Sequence, residues 1–379
     1  APTTGRSGAS AELFFPRSGL DQVLVSPNGR WIAASAHRED KSIVVVQQVG
    51  KGRIASVFEA EWVRELVWES PDTLMAEAGS SSGKRQYVVA HLRDAGDSIG
   101  ISRQSIHAPG WLVDPLPLVP DQLLWEFEYR GWTSLHRISI RELLAFDTLH
   151  RTSPKSVEIA EKLAMVNGST VTNRWVIDRD GKPLAALRRD REGYALMMPA
   201  HGTGPLETVH RWSESDPEKQ MVPMGLSRDG RRIIVSAYHG GDTRGLWELD
   251  AKKHVPDAKV FVDPDFDVEG IVEDPLTGDL VAAYYYRSGE LRFHYFPEYR
   301  DRFLSKLPDD WREKPIAILG GTADRQVFAF LDASDENPGD YYLRDSAGKV
   351  HLVGRRGENV DRDRLVPVES FRVKSRDGT

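Results

Sequence analysis

Three charged residues alternate along one predicted strand and are well suited to hold a substrate. Segment 125–132 reads WEFEYRGW. Because successive side chains of a strand point to opposite faces, Glu126, Glu128 and Arg130 share one face and the aromatic residues share the other. An arginine can bind a peptide carboxylate, and a glutamate can bind a peptide amine. On a channel wall these three side chains would capture a peptide terminus; on a solvent-facing outer strand they would form an ordinary cross-strand ion pair.

Only one segment matches the nucleophile motif of the α/β-hydrolases, G-x-S-x-G. It is GSSSG at 79–83, with Ser81 in the nucleophile position. The motif works when a strand, a sharp turn and a helix present the serine. Here it lies between two strand-like runs, 74–78 and 86–92, and no helical pattern follows. We therefore expect a flexible hairpin tip and assign no catalytic residue.

Metal and cofactor motifs are also missing. The sequence has no cysteine, which excludes thiol nucleophiles, disulfides and cysteine ligands. His201 and His210 are separated by Gly and Pro instead of sharing a helix face, and the acidic run DPDFD at 263–267 lacks the glycine and final glutamate of an EF-hand. No phosphate-binding glycine loop occurs. We expect no metal site and no cofactor, and we place 263–267 in a loop between the fifth and sixth repeats.

A short pattern recurs seven times and determines the predicted fold. Each copy has a turn rich in Pro, Asp, Asn or Gly, an apolar run, a polar loop and a second, alternating run. The copies start at Ser26, Ser70, Val119, Asp178, Ser227, Asp274 and Gly321. One such unit cannot bury its own apolar face, so units must pack on one another. The pattern predicts an all-β fold, a seven-bladed β-propeller with short helical insertions at 297–307 and, more weakly, at 156–165.

Charge and hydropathy exclude several partners. The 50 basic and 57 acidic residues give a net charge of -7 without long runs of one sign, so we expect neither nucleic acid nor a membrane surface as a partner. No stretch has the length of an apolar membrane span. The first residues lack a signal sequence but fit a chain whose signal has been removed, and we expect a periplasmic or secreted protein rather than a cytoplasmic one.

Several segments resemble one peptidase family. They are SPNGRWIAAS, SRDGRRIIVSA, FPEYRDRFLSKLP, ENPGDYYLRDSAGKVHLVG and the final VESFRVKSRDGT. Together they resemble the N-terminal β-propeller of bacterial S9, prolyl oligopeptidase-type serine peptidases, closest to the acylaminoacyl- and dipeptidyl-peptidase-like subgroup. The resemblance implies that a phrase such as 374–378 opens a C-terminal α/β-hydrolase domain, absent from this chain, which carries the catalytic Ser, Asp and His. It also implies that the propeller caps the catalytic cleft, so that short peptides enter through the channel or by domain opening.

These observations predict three regions: an N-terminal extension at 1–20, the propeller at 21–366, and the start of a linker or strand into the hydrolase domain at 367–379. The predicted function is a non-catalytic, substrate-gating and interface domain of an S9 serine peptidase acting on short peptides. One alternative is a free-standing propeller that serves as a binding scaffold. Another is a propeller enzyme with a central metal or quinone, which needs carboxylates or histidines converging from several inner strands. Taking the runs IAAS, LMAEA, IIVSA and LVAAYYY as inner strands, we expect that convergence to be absent.

Overall fold

Seven antiparallel sheets form a ring, and the predicted seven-bladed β-propeller is confirmed. The structure is a computed structural model. It describes residues 19–371 except 39, 107, 120, 130–131, 150–160, 168–171, 200–204, 228, 251, 313 and 370. The sheet of blade 6 has three strands, and each of the other six sheets has four. Within each sheet the strands follow one another in chain order, with the first strand at the channel and the last at the rim.

The first four blades contain strands β1 to β16. Their bounds are β1 Gly19–Val25, β2 Trp31–Arg38, β3 Lys41–Gln48, β4 Ile54–Ala60, β5 Trp62–Ser70, β6 Thr73–Gly79, β7 Arg85–Asp94, β8 Ile99–Ile106, β9 Trp111–Asp114, β10 Leu123–Tyr129, β11 Trp132–Ile138, β12 Glu161–Asn167, β13 Thr172–Ile177, β14 Pro183–Asp190, β15 Gly193–Pro199 and β16 Leu206–Trp212.

The last three blades contain strands β17 to β27. Their bounds are β17 Met221–Leu226, β18 Ile233–Ala237, β19 Gly245–Asp250, β20 Val255–Phe261, β21 Val268–Glu273, β22 Leu280–Arg287, β23 Glu290–Tyr295, β24 Ile316–Gly321, β25 Phe328–Asp332, β26 Asp340–Arg344 and β27 Val350–Arg355. Helices α1 Ile140–Leu149, α2 Pro297–Phe303 and α3 Asp309–Arg312 are insertions between strands.

The repeated turn of the sequence joins the first strand of each blade to the second. In blade 1 the Ser26 hydroxyl donates to Asn28 Oδ1 at 2.8 Å and accepts the Trp31 backbone N–H at 3.0 Å. Gly29 completes this turn with a φ of 70°, which a glycine adopts without strain. Blade 5 builds the same turn, with the Ser227 hydroxyl donating to Asp229 Oδ1 at 2.7 Å. The repeated sequences SPNG and SRDG therefore form the same hydrogen-bonded turn in blades 1 and 5.

The assignment of the inner strands from the sequence was wrong by one strand. The runs IAAS, LMAEA, IIVSA and LVAAYYY form β2, β6, β18 and β22, which are the second strands of their blades. They are small and apolar because neighbouring blades cover both of their faces: every residue of β6 and β18 is buried. The strands that line the channel precede the repeated turns, and several of them carry charges.

The four strands of blade 1 are consecutive in sequence, and so are the four strands of blade 7. The two blades therefore close the ring through packing and a few hydrogen bonds. Val23 and Val25 of blade 1 share one buried cluster with Ala329 and Leu343 of blade 7. The Tyr341 hydroxyl donates to the Asp21 carbonyl at 2.5 Å, and Gly19 forms an isolated β-bridge with Arg356. Within the described part of the chain, no strand is exchanged across this seam.

The predicted helical insertion at 297–307 is confirmed by α2 and the short 3-10 helix Leu304–Lys306. Tyr299, Phe303 and Leu307 are buried against blade 7, and the insertion takes the place of a fourth strand in blade 6. The weaker helix prediction for 156–165 is wrong where it can be checked, because 161–165 belong to β12. Residues 156–160 lie outside the described residues.

Helix α1 was missed, although the sequence carries its start signal. The Glu142 carboxylate accepts the Ser139 backbone N–H at 2.8 Å, and the Ser139 hydroxyl accepts the Glu142 backbone N–H at 3.1 Å. This reciprocal pair is a capping box, which begins a helix by satisfying its free N–H groups.

The ring has two distinct faces. Because all inner strands run in the same direction, the seven repeated turns lie on one face, here called the mouth face. The opposite face, here called the chain-end face, carries Gly19 at the start of β1 and Arg356 just after β27. Segment 357–369 continues along it: Arg362 binds Asp340 at 2.6 Å, and the Val368 backbone N–H donates to the Asp335 carboxylate at 2.5 Å. Both ends of the described propeller are therefore on the same side.

Candidate functional site: the central channel

A cavity of about 1060 Å³ occupies the axis of the ring and opens among the turns of the mouth face. All seven blades contribute to its wall through their first strands and the turns that follow them, and Arg302 of α2 adds a side chain at the mouth. The wall is apolar over much of its area, with Trp68, Trp111 and Trp175 as its largest side chains. A concave site of this size and mixed polarity is typical of small-ligand pockets.

The inner strands place four charged side chains on this wall. They are Glu65 of β5, Asp114 of β9, Arg174 of β13 and Glu273 of β21. Burial within the ring raises the pKa of Glu65, and the neighbouring Glu77 raises it further. Burial also raises the pKa of Asp114, although the Leu116 backbone N–H donates to this carboxylate at 2.7 Å. Glu65 is nevertheless exposed to the solvent of the channel, whereas Asp114 is half-buried.

Two ion pairs cross the channel from blade 4 to blade 6 at different depths. The inner pair joins Arg174 Nη2 to Glu273 Oε2 at 3.5 Å, and the same Nη2 donates to the Met224 carbonyl of blade 5 at 2.8 Å. The outer pair joins Arg179 Nη2 to Asp279 Oδ1 at 2.7 Å among the turns of the mouth face. These cross-channel ion pairs narrow the channel on the side of blade 5.

Asp279 is held in its charged form by the outer ion pair. Burial alone would raise its pKa, but hydrogen bonds from Tyr299 and Arg179 outweigh that effect and lower it. The same ion pair raises the pKa of Arg179. Nearby, Arg325 pairs with the fully buried Asp274 and joins blade 7 to blade 6. Three arginines at the channel thus have carboxylate partners.

Glu126 lies behind the channel wall and is fully buried. The Trp175 indole N–H donates to Glu126 Oε2, so this contact links blades 3 and 4. Burial raises the pKa of Glu126 to about 7, and hydrogen bonds from Trp175 and Trp111 oppose the rise. Because both tryptophans line the cavity, the carboxyl supports the wall without itself lining the cavity.

Of the other two residues predicted with Glu126, the structure describes one. Glu128 is on the same strand and is exposed to solvent. Arg130 lies outside the described residues. Trp125 and Phe127 point to the opposite side and pack with Tyr87 of blade 2, as strand alternation requires. Binding of a peptide terminus by the three charged residues stays a prediction.

The GSSSG segment forms the turn between β6 and β7, which is the predicted hairpin tip. The Glu61 carboxylate accepts the Ser81 backbone N–H at 2.6 Å, and the Ser80 and Ser82 hydroxyls are 2.7 Å apart. The loop predicted at 263–267 does join blades 5 and 6, and the Asp263 carboxylate accepts backbone N–H groups within that loop. His201 is outside the described residues, whereas His210 contacts the Lys219 carbonyl at 2.6 Å.

A search of the described residues for three or more metal-ligating side chains in one place finds none. None of the described helices has the length and apolar character needed to cross a membrane.

Solved structures with a similar fold come from larger peptidases. One is a prolyl endopeptidase, from a study of two such enzymes and the role of their interdomain dynamics. It aligns with a TM-score of 0.53 and 11% sequence identity, and the alignment covers 89% of this chain and 50% of the endopeptidase chain. Prolyl oligopeptidase B from Galerina marginata aligns with a TM-score of 0.53 at 11% identity, over 97% of this chain and 56% of its own. This chain therefore spans about half the length of these peptidases. No protein-family model and no curated protein matches the sequence. At such low identity the likeness shows the fold, a propeller like those of prolyl oligopeptidases.

Proposed function

We propose that this chain is the non-catalytic, substrate-gating propeller domain of an S9-type serine peptidase that acts on short peptides. The observation that carries the proposal is the central channel: a closed ring surrounds about 1060 Å³ of space whose mouth is crossed by an ion pair. A cavity of this size accommodates a short peptide but excludes a folded protein. The ring therefore has the dimensions of a filter.

The position of the chain ends supports a partner domain on one side of the ring. The bridge between Gly19 and Arg356 brings both ends of the propeller to the chain-end face. Beyond it, Val366, Val368 and Phe371 are 61%, 53% and 85% exposed, and an adjoining domain would cover such apolar side chains. An α/β-hydrolase domain on this face would leave the mouth face free to admit peptides.

The position of Ser81 supports assigning bond cleavage and peptide selection to different domains. Ser81 lies in a hairpin tip with its backbone N–H bound by Glu61, far from the strand, turn and helix arrangement that activates a nucleophilic serine. We assign bond cleavage to the proposed hydrolase domain and binding and selection to the propeller.

Labelling of an active serine tests this proposal. The 379-residue chain and the product of the longest reading frame that contains it are each treated with a fluorophosphonate probe and assayed on short peptides. We expect the longer product to be labelled and to cleave peptides, and the chain alone to give background rates. Labelling of the chain alone that disappears in Ser81→Ala, or a longer reading frame without a G-x-S-x-G elbow, would refute the proposal.

A further inference from the structure

The charges on the channel wall specify which peptides the channel admits. We propose that the channel selects short cationic peptides over acidic ones, through Glu65 and Asp114 acting together on one side of the wall. This inference rests on the proposed function, because it names the substrate class of the same filter. It concerns residues that no sequence pattern indicated.

The wall carries an excess of negative charge. Among the residues that line the cavity, six are acidic (Glu65, Asp114, Asp178, Glu273, Asp274, Asp279) and four are basic (Arg174, Arg179, Arg302, Arg325), so their formal charges sum to -2. A low-dielectric wall concentrates the field of such groups inside a channel and raises the local concentration of the opposite charge. The channel therefore attracts cations.

The distribution of partners locates this excess. Three of the four arginines are neutralised: Arg174 by Glu273, Arg179 by Asp279 and Arg325 by Asp274. The fourth, Arg302, is at the mouth, with its guanidinium 5.4 Å from the centre of the Tyr299 ring.

Three of the six acidic residues, Glu65, Asp114 and Asp178, have no basic ion-pair partner within the described part of the chain; the Asp178 carboxylate, in the mouth-face turn of blade 4, accepts the backbone N–H groups of Asp180 and Lys182. Arg64 is next to Glu65 in sequence, but it pairs with Glu77 at 3.4 Å. Among the described residues, the Asp114 carboxylate accepts one hydrogen bond, from the Leu116 backbone N–H at 2.7 Å. Because Glu65 and Asp114 come from the inner strands of the adjacent blades 2 and 3, the acidic residues of the inner strands that have no ion-pair partner lie on one side of the channel.

The surroundings of these carboxylates also suit a cationic peptide. Trp111 lies on the same inner strand as Asp114 and lines the same cavity, and its indole already contacts one cation, the Arg85 guanidinium, at 5.6 Å from the ring centre. Indole rings attract ammonium and guanidinium groups as well as the apolar stems of lysine and arginine. A lysine or arginine side chain would thus find a carboxylate for its charge and an apolar wall for its methylene groups. A glutamate side chain would meet like charges there.

Binding of three tripeptides to the 379-residue chain tests the inference. Trilysine, trialanine and triglutamate are titrated by calorimetry, with the fluorescence of the channel tryptophans as a second signal. We expect trilysine to bind at least about tenfold more tightly than trialanine and triglutamate to bind most weakly, with the differences shrinking in about 1 M salt. Absence of a preference for trilysine would overturn the proposal.

Paired variants locate the effect. Glu65→Gln with Asp114→Asn should remove most of the preference for trilysine, whereas Glu207→Gln with Glu358→Gln, two exposed carboxylates away from the channel, should retain it within about twofold. Both pairs change the net charge equally. Equal loss in both pairs would overturn the proposal, because attraction would then come from the whole protein. Glu65→Gln alone, at a solvent-accessible position, gives the same comparison if the double variant does not fold.

This outcome is separable from that of the proposed function. A longer product that is labelled at an active serine, together with a chain that shows no preference for trilysine, would refute the charge filter alone. A preference for trilysine without any hydrolase in the reading frame would refute the peptidase assignment alone.

Discussion

Glu126 is a fully buried carboxyl whose protonation is coupled to folding. Its pKa is about 7 in the folded protein because burial disfavours the charged form, against about 4.5 in an unfolded chain. The folded state therefore binds the proton more tightly, and stability is lost as the pH rises from about 4.5 to about 7. This loss is about 3 kcal/mol, from 1.36 kcal/mol for each pH unit between the two pKa values.

Replacing this carboxyl with an amide tests the coupling. Glu126→Gln has no charge to titrate, so between pH 5 and pH 8 its free energy of unfolding should fall by about 2–3 kcal/mol less than that of the wild type. Urea denaturation at the two pH values measures the difference. Glu128→Gln, on the same strand but exposed, is the control and should follow the wild type. Parallel pH dependence in wild type and Glu126→Gln would show that Glu126 is ionised throughout.

At the level of secondary-structure elements, the sequence predicted the turns better than the position of each strand in its blade. The repeated turns of the SPNG and SRDG type have a local cause, since a serine hydroxyl and a following Asn or Asp carry their hydrogen bonds. Each turn is flanked by two apolar runs, and which of them faces the channel depends on how the ring closes. Because closure of the ring depends on non-local contacts, the sequence indicates no role for Glu65 or Asp114, although Asp114 interrupts an otherwise apolar run.

Glu126 shows the same limit. Strand alternation correctly predicts that Glu126 lies on the opposite face from Trp125 and Phe127. Its burial could not be predicted, because it depends on Trp175 of the neighbouring blade. The three-stranded sixth blade was likewise hidden, because its amphipathic helix is visible in the sequence while the strand it replaces is not.

The seam between blades 7 and 1 is the element that should control opening of the ring. Tyr341 is buried there; its hydroxyl donates to the Asp21 carbonyl at 2.5 Å and accepts from Arg356 at 2.8 Å. Tyr341→Phe removes both hydrogen bonds; because Arg356 is exposed and can bind water instead, we expect a loss of about 1 kcal/mol in the free energy of unfolding. Hydrogen exchange should increase most in β1 and β24, which pack across the seam.

The matched control for the seam is Tyr342→Phe. The Tyr342 hydroxyl contacts Asp340 of the same strand at 3.4 Å, so its removal changes no contact across the seam. We expect little change in exchange at β1. Equal effects of the two substitutions on β1 would contradict a local role for the seam.

At the scale of the whole molecule, the ring combines a wall built on buried apolar clusters with a mouth crossed by an ion pair. The blades are joined by buried apolar clusters, whereas the mouth is crossed by the ion pair between Arg179, which is 64% exposed, and Asp279. Asp279 is only 16% exposed, but the Arg179 end of the pair is open to solvent, so water can replace the guanidinium there. We therefore expect the passage of peptides to require opening of the ion pair between Arg179 and Asp279, while the blades stay in place.

Permanent closure of this mouth tests most directly whether peptides pass through the channel. These 379 residues contain no cysteine. Arg179→Cys with Asp279→Cys is therefore introduced into the longer reading-frame product and linked by a short bismaleimide, with the unsubstituted longer product and each single cysteine variant, treated in the same way, as controls. We predict that the link lowers the rate of short-peptide hydrolysis at least about tenfold, equivalent to 1.4 kcal/mol in the barrier, while fluorophosphonate labelling of the active serine persists. An unchanged rate of peptide hydrolysis in the linked protein would contradict the account, because peptides would then reach the active site without passing through the channel.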